Sequence, residues 1–180
     1  MHIAFGHHTV KLRVWPSEQE MRDHVLACKS GSLILGEDSI QYHGFYSIEF
    51  HLGISGLSSF GIGLISEGHG LVPHLLLSPK KSEVLVGFNN KAICVNIIKK
   101  CIAFSMELES LFRCFVHFFD RESILIFHEF GLVSISESGH IQWSYAKDII
   151  VGCIIEEASL KLHFLDEPSV TLNVSTGKPV

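Results

Sequence analysis

Twelve histidines in 180 residues are the first chemical feature of this chain, because neutral imidazole binds zinc, copper, nickel and iron. Local groupings are His7 with His8, His43 with His51, and His69 with His74. A metal site needs three or four converging ligands, usually at a spacing such as H-E-x-x-H on one helix face. No such spacing occurs. His128 and Glu129 are neighbours on an expected strand, where successive side chains point to opposite faces and do not chelate together. The histidines are therefore expected to be scattered at the surface or hydrogen-bonded, and no metal ligand is assigned.

Nucleophiles offer no firmer pattern. No G-x-S-x-G elbow sets a serine or cysteine beside a base. The five cysteines, Cys28, Cys94, Cys101, Cys114 and Cys153, are odd in number, widely spaced and free of C-x-x-C, which argues against a disulfide framework or a zinc knuckle. Cys114 and Cys153 fall inside apolar strands, where a thiol behaves as a small hydrophobe. Glycines 53, 56, 61, 63, 68 and 70 resemble a phosphate loop only superficially, since neither G-x-G-x-x-G nor the P-loop lysine is present. Turns, bulges and close strand packing account for them. The carboxylates mostly flank strands, and nothing selects one pair for acid and base roles. No catalytic, cofactor-binding or metal residue is assigned, and no cofactor is expected.

Composition narrows the class. A hydrophobic share of 47%, a charged share of 18% and a mean hydropathy of +0.31 describe a folded chain rather than a disordered one. The net charge of -5, with basic residues scattered apart from Lys80-Lys81 and Lys99-Lys100, gives no basic face for nucleic acid. No secretory signal is read at the N-terminus. The longest early stretch without Asp, Glu, Lys or Arg, Phe50 to Ser66, falls short of the ~20 apolar residues of a spanning helix. Free thiols and the missing signal make a cytoplasmic location, away from membranes, the expectation.

These residues must be held by a mainly β scaffold with one early helix. Ser17-Glu18-Gln19-Glu20 forms a capping box after Pro16, Gly31 can stop the helix, and Met21, Val25 and Cys28 lie on one stripe. From Ser32 onward, short β-branched and aromatic runs alternate with Gly, Asn, Asp and Pro. Asn89-Asn90 and Ser138-Gly139 suit hairpin turns, so an antiparallel meander is expected. Residues 1–180 read as a single domain, with the helix and a Gly-rich β part in 1–80 and a repeated β-meander in 81–180.

The repeat is visible when Cys101 to His117 is laid on His140 to Glu156, an offset of 39. Ile102 meets Ile141, Ser105 meets Ser144, Phe104 meets Trp143 and Cys114 meets Cys153. Upstream, Val84, Val86, Ile93 and Val95 meet Ile124, Ile126, Val133 and Ile135 at an offset of 40. A third, incomplete copy runs from Leu160 to Lys178. A period near 40 is what four short strands and their turns consume. Residues ~83–178 thus resemble quinoprotein-like β-propeller blade repeats, with Gly131-Leu132-Val133-Ser134-Ile135, a turn at Ser138-Gly139, and Ile141-Gln142-Trp143. The resemblance implies that Trp143 plugs between neighbouring sheets. Two or three such units are too few to close a ring, so the sheet is open, differently packed, or closed by association.

The expected function is a non-catalytic protein-interaction module that uses a sheet face or edge to dock a protein partner or another copy of itself, with a homodimer as the expected state. The alternative is a small enzyme or ligand-binding domain with a histidine-lined, metal-containing pocket at the Gly-rich stretch from Gly53 to His74.

Overall fold

The computed structural model describes residues 2–5, 8–36, 44–52, 58–67, 71–78, 82–118 and 121–180, with backbone alone at 2–5, 8, 52 and 58. The chain is mainly β. Among the described residues, sixteen strands in four sheets accompany one helix. Contacts group the chain into two compact units, residues 1–89 with 93–105, and residues 90–92 with 106–180.

In the first unit a five-stranded sheet runs in the order β1 (His2–Phe5), β2 (His8–Trp15), β4 (Gly44–Leu52), β5 (Ser58–Ser66), β3 (Ser32–Leu35). The helix α1 (Glu18–Leu26) begins where the capping box places it, with the Ser17 hydroxyl accepting the Glu20 N–H at 3.3 Å. It ends at Leu26 with Ala27 as its cap, five residues before Gly31. Met21 and Val25 are fully buried and pack with Ile65 against Trp15, Ile34 and Phe45. Gly61 and Gly63 lie beneath this helix. A Cβ on Gly61 would stand 2.8 Å from Cys28 Sγ and 3.1 Å from Val25 Cγ1, so these glycines serve close packing, as the sequence reading proposed. Gly53, Gly56, Gly68 and Gly70 lie outside the described residues.

The opposite face of this sheet carries Val10, Ile48, Phe50, Phe60, Ile62 and Leu64 at period-two spacing. It packs on Val84, Val86, Phe88, Ile93, Val95 and Ile97. All but Ile97 belong to a four-stranded sheet in the order β6 (His74–Ser78), β7 (Glu83–Phe88), β8 (Lys91–Asn96), β9 (Cys101–Glu107). Two features depart from the expected meander. Strands β1 and β2 were not anticipated, although Val10, Leu12 and Val14 alternate with polar residues as a strand requires. Strand β3 pairs with β5 in parallel.

The second unit holds a four-stranded antiparallel sheet in the order β10 (Phe112–Phe118), β11 (Ser123–His128), β12 (Gly131–Ser136), β13 (Ile141–Ala146). It also holds a three-stranded antiparallel sheet, β14 (Ile150–Ile155), β15 (Ser159–Phe164), β16 (Val170–Asn173). Leu125, Phe127 and Leu132 of the first sheet share a core with Leu160, Leu162, Phe164 and Leu172 of the second. Trp143 lies against this core, donates its indole N–H to the Val174 carbonyl at 3.1 Å, and sits over Gly177. It is the plug between sheets that the resemblance implies.

The period extends from residue types to the backbone. Ser82 and Glu122, 40 apart, have φ of 51° and 49°, and each accepts at its carbonyl, from the N–H of Ile97 and of Glu137. Lys100 and Gly139, 39 apart, both have positive φ. Composition alone does not reproduce matched left-handed residues and matched hydrogen bonds. The three blade-like sheets therefore run from His74, and their first strands are β6, β10 and β14.

Candidate functional site

Where the expected pocket segment, Gly53 to His74, is described, it is strand β5 beneath the helix and the stretch 71–74. Of the grouped histidines, His7, His43 and His69 lie outside the described residues. His51 Nε2 lies 3.4 Å from Glu49 Oε1, and His24 Nε2 lies 3.6 Å from Glu49 Oε2, so one carboxylate stands between two imidazoles. No spacing rule predicts this, since His24 arrives from the helix. His117 Nε2 lies 3.4 Å from Glu137 Oε1. Among the described residues no three His, Cys, Asp or Glu side chains converge as metal ligands would.

Strand β11 delivers the more distinctive imidazole. His128 is its last residue and only 2% exposed, while Glu129 already belongs to the following turn rather than to the strand. His128 Nδ1 lies 2.7 Å from the hydroxyl of buried Ser110, and that hydroxyl accepts the Phe130 N–H at 3.1 Å. Burial holds the His128 imidazole below its usual pKa, opposed by the Glu109 carboxylate nearby. The ring is neutral at neutral pH. His128 also lines a cavity of about 160 Å³, bounded by Glu107, Glu109, Tyr145, Ser144 and apolar side chains including Met106 and Val133. Among the described residues no Lys or Arg lines it.

Ser110 also has a repeat partner that residue identity hides. One unit on, Asp148 stands 38 residues later and its carboxylate accepts the Asp166 N–H at 3.0 Å, as Ser110 accepts from Phe130. Backbone N–H bonds from Asp166 and Ile149 hold the Asp148 carboxyl below its usual range, with Lys147 assisting. An oxygen-bearing side chain at this turn is thus a recurrent structural device. At the first of the two turns it is coupled to a buried histidine.

The cysteines separate by environment. Cys28 and Cys94 are buried, Cys114 is half-buried, and Cys101 and Cys153 are exposed. Expecting Cys153 in the core therefore fails, because β14 is an edge strand of its sheet. Burial raises the thiol pKa of Cys28, Cys114 and Cys153, which disfavours the thiolate needed of a nucleophile.

No helix among the described residues is long and apolar enough to cross a membrane. No family model matches the chain, and no curated protein does. Solved structures do match, 170 chains in all. One is described as dihydro-heme d1 dehydrogenase NirN in complex with DHE, superposing with a TM-score of 0.54 at 11% identity over 77% of this chain. This chain spans 34% of that neighbour, and the likeness is one of fold, in agreement with the blade-like sheets.

Proposed function

We propose that the chain is a non-catalytic interaction module that associates with a second copy of itself through an outer edge strand. The observation that carries this reading is strand β13. It ends the order of its sheet, and Ile141 to Ala146 contains no Asp, Glu, Lys, Arg or Pro. Ile141 is 62% exposed, and Gln142, Ser144 and Ala146 are exposed as well. Natural sheets guard edges with charge, proline or cover, because unpaired N–H and C=O groups invite another strand. Strand β9 ends its own sheet and is likewise uncharged from Cys101 to Met106. Antiparallel addition of β13 to β13 of a second copy satisfies the two-fold symmetry of a homodimer.

Native mass spectrometry of untagged protein tests this reading. A dimer that reverts to monomer in Ile141→Lys is expected, since a lysine on the edge opposes strand addition. A monomer at every concentration sinks the reading.

A second reading, a ligand-binding domain with a histidine-lined pocket, is favoured by the His128 cavity. It moves the pocket from Gly53–His74 to β11 and β13.

A further inference from the structure

We infer that His128 is an acid-triggered latch: neutral, it holds the turn at Ser110, and protonated it leaves Ser110 for the carboxylates of Glu107 and Glu109 in the cavity beside it. The closed seat suits an uncharged ring. His128 is 2% exposed, its Nδ1 lies 2.7 Å from Ser110 Oγ, and that oxygen also accepts the Phe130 N–H at 3.1 Å. In either tautomer of the neutral ring this contact is one hydrogen bond. A second proton changes the balance, because a buried imidazolium beside a serine has lost its water and gained no opposite charge. Histidine is the side chain whose charge ordinarily changes between roughly pH 5 and 8.

The carboxylates supply the second seat. Glu107 ends β9, Glu109 lies in the connection to β10, and both line the cavity of about 160 Å³ that His128 lines, so an imidazolium has room and two opposite charges to move toward. Glu109 already acts on the ring in place, opposing the downward shift that burial imposes. The other titratable groups around it are Tyr145 of β13 on the cavity wall and Glu129, the next residue. Lys147 turns its ammonium to Glu167 at 3.0 Å, Asp148 accepts the Ile149 and Asp166 N–H groups, and Arg113, next to the Phe112 that pairs with His128, is exposed. The sign follows from burial, which makes the closed form bind the proton less readily than an open one. Closure is therefore complete above the ordinary histidine pKa of 6.5 and is lost as pH falls below it.

The test follows hydrogen exchange at the Phe130 amide of the ¹⁵N-labelled full chain, corrected for the intrinsic pH dependence of exchange, at about pH 7.5 and about pH 5. Protection should fall about 3- to 10-fold on acidification, the worth of one hydrogen bond. The Lys147 amide, which reaches the Phe130 carbonyl at 3.0 Å, should keep its protection. His128→Gln should abolish the pH dependence, Ser110→Ala should leave Phe130 poorly protected at both pH values, and Glu107→Gln with Glu109→Gln should move the fall to lower pH. In the wild type, the Cε1 proton of His128 should titrate with the same midpoint as the Phe130 protection, a readout that needs no variant. Equal Phe130 protection at both pH values, a fall that persists in His128→Gln, or a His128 midpoint apart from that of Phe130 overturns the latch. Joint loss at Phe130 and Lys147 means that the whole turn unfolds, and overturns it as well. An unmoved fall in the double glutamate variant overturns Glu107 and Glu109 as the second seat.

Discussion

Trp143 is the residue where resemblance, packing and backbone conformation meet. Its ring faces Gly177, whose φ of +66° is costly for any other residue, and a Cβ there would stand 2.4 Å from Trp143 Cε3. Gly177→Ala should therefore lose about 1–3 kcal/mol through strain and overpacking together, read as a lower urea midpoint with unchanged slope. An unaltered midpoint would mean that the indole does not occupy this seat. The tryptophan was legible in the sequence, because the repeat placed it in a blade strand, whereas its seat over Gly177 was not. The pairing of Ser110 with His128 was not. It joins a connecting segment to a strand end 18 residues on, and serine and aspartate at the matched turns conceal a shared role that only the hydrogen bonds disclose.

At the scale of elements, helix α1 and strand β5 were each anticipated, but their contact was not, since period and capping describe one element at a time. Their fit depends on Gly61 beneath Cys28 and Val25. Gly61→Ala should cost about 1–3 kcal/mol by overpacking. Part of that loss should return in Gly61→Ala with Cys28→Ala, because the sulfur 2.8 Å from the new methyl is then gone. A double-mutant cycle reads the coupling, expected to exceed about 0.5 kcal/mol for residues in contact, and strict additivity would place the helix elsewhere. The parallel partnership of β3 with β5 escaped the sequence for a related reason. Hairpin turns announce antiparallel neighbours, whereas β3 reaches its partner over an intervening strand, β4, and carries no local sign of the pairing.

Taken whole, the protein contrasts strands buried on both faces with strands open on one. Every residue of β11 is buried, and β12 is nearly so. In the three-stranded sheet, Leu160, Leu162 and Leu172 turn to the core while Lys161 and Thr171, directly paired, occupy the other face. Self-association through the β13 edge leads to a concentration dependence in amide exchange. In dilute protein, Ile124 to Phe127 should exchange slowest within the second unit, and amides of Gln142 to Tyr145 faster, since an edge strand has partners on one side only. Raising the concentration through the dimerisation range should slow exchange in β13 and leave β11 unchanged, because strand addition covers the edge and not the centre. Hydrogen exchange read by mass spectrometry at two concentrations decides it. Protection of β13 that is equally high in dilute and concentrated protein would mean that its edge is already covered within one chain, and the case for β13 as the docking edge would fall with it.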